Sequence, residues 1–250
     1  MSTRISARFT QLRRQILVQL VKLIAPTKTE ICLTQFVGRE DLAPIALFRL
    51  DGWNEVLYRD LNLSPEDSVC VLGAYLGDSI SEYRKRFDSP VIGLEPISEF
   101  CTNLNLRFKT DPKVKILEVA ASDRNESLEI NLSNDSTSFY KEGHKSEKIV
   151  SIDIVELFES LEKPPHVLEL NIEGVEFRVL NRLLDSSYAS SVNILLIQFH
   201  DFVEDSDLMR AEIRKRLSRD YVEVFCYPYV WERWDLKPEI SKFYRAASGI

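Results

Sequence analysis

Apolar residues at Ile5, Phe9, Leu12, Ile16, Leu20 and Leu23 recur at steps of four and three, which predicts an amphipathic helix ended by Pro26. Residues 40–63 read as helix interrupted near Gly52, and Ser64-Pro65-Glu66-Asp67 as a turn. From there short apolar runs alternate with helical stretches. Ser68–Leu72, Val91–Leu94, Lys113–Val119, His166–Ile172, Asn193–Phe199 and Val222–Tyr227 read as strands, with Ser127–Leu132 an alternating strand at a sheet edge. Ser79–Phe87, Ser98–Phe108, Val175–Leu184 and Leu208–Leu217 read as helices between them. Strands alternating with helices predict an α/β protein with a mostly parallel, doubly wound sheet and helices on both faces. Residues 131–148, rich in Ser, Asn, Lys and Glu, read as a polar loop or lid. The expected division is a helical segment, residues 1–63, packing on a domain of residues 64–250.

Composition narrows the class. The content of 44% apolar and 28% charged residues is that of an ordinary globular protein, and 250 residues can bury a core without disulfide staples. Apolar runs such as Ile194–Ile197 are far shorter than the roughly 20 residues a membrane span needs. No secretory signal is read at the N-terminus. Cys32, Cys70, Cys101 and Cys226 form no C-x-x-C pair, so neither a zinc site nor a redox dithiol is expected, and no metal is assigned. A reducing cytoplasm fits four separate thiols. The net charge of −7 argues against nucleic acid as a partner. The charge is uneven: Arg4, Arg8, Arg13, Arg14, Lys22 and Lys28 give residues 1–28 a charge of +6, leaving −7 − 6 = −13 for the rest. Residues 4–24 could therefore meet an anionic membrane surface or a partner, although such a face more often packs inward. A second copy of the chain is a further candidate partner.

The chemistry collects at strand ends. Val71-Leu72-Gly73-Ala74-Tyr75-Leu76-Gly77-Asp78 turns from strand to helix through two glycines, so backbone N–H groups can approach a ligand closely. Its G-x-x-x-G spacing is looser than the dinucleotide-binding G-x-G-x-x-G and suits a methionine-type zwitterion. Glu95, before Pro96, ends the second strand 22 residues after Gly73, near the offset at which an acid meets ribose hydroxyls. Ala120, Ala121, Ser122 and Asp123 follow the third strand, where small residues leave room for an adenine. Alternation puts Glu169, Asn171 and Glu173 on one face of the strand His166–Ile172 and its continuation, with Gln198 and His200 at the next strand end. His200 or Glu173 could act as general base toward a hydroxyl, with Asn171 beside them. Glu176 suits a helix N-terminus. Tyr227, Tyr229, Trp231 and Trp234 suit either a sugar platform or core and dimer contacts.

In their order, VLGAYLGD, GLEP, AASD, SIDIVELF, NIEGVEFRVL and IQFH resemble segments of the FkbM-type methyltransferases, over about Val69 to Tyr227. The resemblance implies a Rossmann-like class I methyltransferase fold, S-adenosylmethionine as cofactor, and O-methylation of a hydroxyl on a sugar, glycan or natural product. It places Gly73, Ala74, Tyr75, Gly77, Glu95, Pro96, Ala121, Ser122 and Asp123 at the cofactor, and His200, Glu173 and Asn171 at the chemistry. Val71, Glu169, Asn171 and Gln198 depart from the family pattern, which usually has an acid, a lysine, an aspartate and a glutamate there. The alternative is a catalytically impaired member that binds cofactor or a partner.

Overall fold

Runs of four residues, apolar except for Glu169 in the third of them, become the central strands. They are β1 (Val69–Leu72), β2 (Val91–Leu94), β8 (Val167–Leu170) and β9 (Ile194–Ile197). Every residue of β1, β8 and β9 is buried, as in a parallel strand covered on both faces. The computed structural model describes residues 43–132, 137–138 and 145–240. The amphipathic helix expected over residues 5–23, with its proposed membrane or partner contact, and Cys32 lie outside the described residues.

The chain divides into two compact units, Met1–Arg59 and Asp60–Ile250. In the first, α1 (Ala43–Leu50) and α2 (Glu55–Tyr58) flank Gly52, whose φ of +117° turns the chain. The Trp53 N–H closes that turn on the Phe48 carbonyl at 2.9 Å. Residues 60–63, expected to be helical, are not.

The second unit holds a seven-stranded sheet of order β10-β11-β9-β8-β1-β2-β3, completed by β3 (Val114–Leu117), β10 (Tyr221–Tyr227) and β11 (Trp231–Leu236). β3, β2, β1, β8 and β9 run parallel, and β11 runs antiparallel between β9 and β10. This mostly parallel sheet is the Rossmann-like, doubly wound arrangement expected. Helices α3 (Asp78–Phe87), α4 (Ser98–Arg107), α5 (Ile154–Glu159), α6 (Glu176–Leu184) and α7 (Ser206–Asp220) cover it. Cys70, Leu72, Leu168, Leu170, Leu195 and Ile197 form one core with Ile154 and Phe158 of α5, Phe177 and Leu180 of α6, and Ile213 and Leu217 of α7. The alternate residues meet α3: Glu169 bonds Ser79 and Tyr83, and Gly93 packs under Ile80. The chain leaves β1 toward β2 on one side, while β8 lies on the other. In such sheets ligands bind at that reversal, outside the carboxyl ends of β1 and β8.

Three expectations need correction. The third strand stops at Leu117, where Val119 turns back onto the Leu117 carbonyl. Ala120–Ser122 is instead β4 of a second sheet, with β5 (Glu126–Leu132), β6 (Thr137–Ser138) and β7 (Lys145–Asp153) in the order β4-β7-β5-β6. The described residues of the polar stretch 131–148 are therefore paired strand: Asn131 and Leu132 face Ser146 and Lys145 on one side and Ser138 and Thr137 on the other. Backbone pairing needs no apolar side chain, and an antiparallel sheet can face water, so this hairpin escapes a hydrophobic reading. Nor is β5 an edge strand, since it lies between β7 and β6.

Candidate functional site

The cradle forms because β1 must turn sharply against β8. Gly73 has φ +85°, and a Cβ on it would stand 2.1 Å from the Asn171 carbonyl oxygen. Gly77 also has φ +85°, and its Cβ would come within 2.7 Å of Leu104 and Phe108. Only glycine tolerates such a conformation together with such contacts. Tyr75 between them is left-handed as well, at φ +45°. Gly73 and Ala74 donate to the Leu94 carbonyl at 3.0 and 2.9 Å, tying the turn to β2. Arg107 binds it from α4, reaching the Leu76 carbonyl, Asp78 and Ser81.

Glu95 joins the cradle to the next loop. Its carboxylate accepts the Tyr75 N–H at 2.9 Å and the Ile97 N–H at 3.1 Å. Burial pushes the Glu95 carboxyl up, against the pull of these two amides. A carboxylate oxygen has two lone pairs, so each oxygen keeps one for a further donor. Pro96 is half-buried beside it, and Tyr75 is half-exposed with its ring edge-on to Phe100 at 4.8 Å.

Val71 is buried without charge, and its partner in register on β8 is Glu169. Glu169 accepts hydrogen bonds from the Ser79 hydroxyl at 2.5 Å and the Tyr83 hydroxyl at 2.7 Å. Burial raises its carboxyl above the ordinary range. An acid thus sits one strand away from Val71, in the same row of the sheet.

Beyond β8 the chain passes through two left-handed residues, Glu173 at φ +52° and Gly174 at φ +99°. Asn171 donates its N–H to the Leu72 carbonyl, while its buried Oδ1 has no hydrogen-bond partner. His200 Nε2 lies 3.8 Å from Glu173 Oε1. Gln198 is half-buried and donates its N–H to the Leu170 carbonyl. Glu176, expected at a helix N-terminus, opens α6 and accepts the Gly174 N–H at 2.8 Å. Its larger role was not read from the sequence: Oε1 also accepts the His200 N–H at 2.9 Å and lies 3.1 Å from His200 Nδ1. A glutamate opening the helix after one strand, followed by histidine ending the next, is the signal that could have suggested it.

On the far side, Ala121 is in the core, and Ser122 donates to Asp123 at 3.1 Å. Asp123 is held by Arg178 of α6, with Nε at 2.9 Å. Burial pushes the Asp123 carboxyl up, but Arg178 outweighs it and leaves it below its ordinary value. These residues sit on the second sheet. The residue that follows β3 is Glu118, which takes the Ser98 hydroxyl, while Glu147 takes the Ser98 N–H at 3.2 Å. The sequence reading missed Glu118 because it ran β3 on to Val119, and Glu147 because it took residues 131–148 for a loop.

The aromatic residues near the C-terminus divide. Trp231 and Trp234 are buried on β11, and Trp234 Nε1 donates to Glu232 at 3.0 Å. The Tyr229 hydroxyl bonds Asp207 at 2.5 Å. Among the described residues, Glu223, Cys226 and Glu232 bring ligand-type atoms within 4.8 Å of one another. Arg210 and Arg214 already donate to Cys226 and Glu232 there. Burial lifts the thiols of Cys70 and Cys101 to about 12, which leaves them unreactive.

Comparison with known proteins adds fold neighbours. No protein-family model matches the chain, and no curated protein matches it. Among solved structures, a fibrillarin/Nop5p complex is 12% identical, with 78% of this chain and 82% of that one covered, at a TM-score of 0.46. An rRNA methylase from Streptococcus thermophilus is 10% identical over 70% and 89%, at 0.44. Aeropyrum pernix fibrillarin with natively bound S-adenosyl-L-methionine is 10% identical over 73% and 72%, at 0.41. No described helix is long and apolar enough to cross a membrane.

Proposed function

We propose that the chain is an S-adenosylmethionine-dependent O-methyltransferase of FkbM type, acting on a hydroxyl of a sugar, glycan or natural product. The approach of Gly73 to the Asn171 carbonyl carries the reading, because it sets the cradle directly against the strand end that leads to Glu173 and His200. The residues fit the cofactor. The turn leaves no room for a Cβ at Gly73, Glu95 keeps acceptor capacity for ribose hydroxyls, and the orphaned Asn171 Oδ1 calls for a donor.

The backbone of Gly73, Ala74, Tyr75 and Gly77 would hold the methionine end, and Glu95 the ribose. Ala121, Ser122 and Asp123 would hold the base, with Ser98 and the Glu118 that follows β3 as further groups for it. When bound, S-adenosylmethionine supplies an electrophilic methyl group on a sulfonium, so orientation does most of the work. His200 Nε2 accepts the proton of the acceptor hydroxyl, and Glu173 stabilises the resulting imidazolium. A positioned base of this kind contributes roughly 10²- to 10⁴-fold.

Calorimetry with S-adenosylmethionine tests the cofactor. Saturable heat is expected, and none at millimolar ligand would overturn the reading. A panel of sugar and natural-product hydroxyls with methyl-labelled cofactor tests the chemistry. His200→Ala and Glu173→Ala are expected to lose at least about 10²-fold in turnover. Unchanged turnover would remove both from the mechanism. Cofactor binding with no transfer to any acceptor would favour an impaired, binding-only protein.

A further inference from the structure

We propose that Glu176 is a positioning residue that fixes the tautomer of His200, so that Nε2 carries the basic lone pair. This role rests on the methyltransferase reading for its use, but its geometry stands apart from it. Glu176 is fully buried. Its Oε1 meets both the backbone N–H and the ring Nδ1 of His200, and its Oε2 meets the Gly174 N–H. A carboxylate only accepts hydrogen bonds, so the ring atom facing it must bear a hydrogen. A neutral imidazole has one N–H, and placing it on Nδ1 leaves Nε2 bare.

The same carboxylate sets the position of that lone pair. It ties the left-handed Glu173-Gly174 turn after β8 to the strand end of β9, and so holds Nε2 on the side of Glu173. Packing supports the arrangement: Phe177, next to Glu176, and Phe199, next to His200, pack with ring centroids 5.2 Å apart. In the proton step, the acceptor O–H bond breaks and an Nε2–H bond forms. The electron pair stays on the acceptor oxygen. The imidazolium so formed then carries its two N–H groups toward Glu176 and Glu173.

Nitrogen-15 NMR of the full chain with labelled histidine reads the tautomer without any ligand. Above the imidazole titration, the wild type is expected to give a protonated Nδ1 and a bare Nε2 at His200. Glu176→Gln keeps the side-chain size, but its amide can donate to Nδ1, so the tautomers are expected to mix or invert. Glu176→Asp is expected to retain the wild-type tautomer at least in part. A bare Nδ1 in the wild type, or an unchanged ring in Glu176→Gln, would overturn the proposal. If Glu176→Gln fails to fold, the wild-type spectrum still decides. In turnover, Glu176→Gln is expected to lower kcat by at least about 10²-fold with cofactor affinity unchanged. Equal kcat would also overturn it. Absence of cofactor binding would defeat the function while leaving the tautomer intact, so the two failures are separable.

Discussion

A buried carboxylate whose partners are hydroxyls rather than cations costs stability when it ionises, and Glu169 is in that position. Burial raises its folded value above that of the unfolded chain. Its contribution is therefore fully present below the unfolded value, about 4.3, and is lost as pH rises through the raised folded value. Glu169→Gln keeps an acceptor for Ser79 or Tyr83 and never ionises. Urea unfolding across pH is expected to find the two proteins nearly equal near pH 4 and the variant more stable at pH 7. A wild type more stable at pH 7 would show that the charge itself is favourable in that row. Gly73 gives a sharper expectation. Gly73→Ala faces the Asn171 carbonyl at 2.1 Å in a left-handed backbone, so a loss of about 1–3 kcal/mol is the least expected. Both glycines and Glu95 are legible in the sequence because each fills a backbone or strand-end requirement set locally. Glu176 is not, because its meaning depends on His200, which reaches it only through β8 and β9 pairing in register.

Elements were legible in proportion to how much apolar surface they bury. The strands VCVL, VIGL and ILLI are uninterrupted apolar runs, and the two-sided burial of a parallel sheet requires that. β11, WERWDL, carries alternating charge and was hidden for that reason. Its Glu232 is buried, yet accepts from Arg210 Nε at 2.6 Å, Arg214 and Trp234. That network straps α7 to the reversed hairpin, a long-range pairing that no local pattern announces. Removing one partner of a buried ion pair strands the others. Glu232→Ala is thus expected to cost on the order of 3 kcal/mol, read as a lower urea midpoint at unchanged slope. A midpoint equal to the wild type would mean that the hairpin holds to α7 by packing alone. Of the second sheet, alternation revealed β5 but not β7, whose first half, Lys145–Lys148, is polar throughout.

At the scale of the molecule, the reversal of strand order brings together the carboxyl ends of β1, β2, β8 and β9, which are distant in sequence. A ligand that contacts all of these strand ends binds the folded state alone, and its binding free energy is added to the folding free energy. S-adenosylhomocysteine at about 100 times its Kd is then expected to stabilise the protein by about 2.7 kcal/mol. For a chain of this size that is a rise in Tm of roughly 5–10 °C. Glu95→Gln removes a charged acceptor, worth about 1.5–3 kcal/mol, and so weakens affinity roughly 10- to 100-fold. At the same ligand concentration the stabilisation should fall to between about 1.4 and 0.4 kcal/mol. The variant without ligand serves as its own baseline, because Glu95 also holds the Tyr75 and Ile97 amides and its loss lowers Tm directly. A ligand-dependent shift as large in Glu95→Gln as in the wild type would place the ribose elsewhere. The cradle would then be a structural joint between β1 and β2.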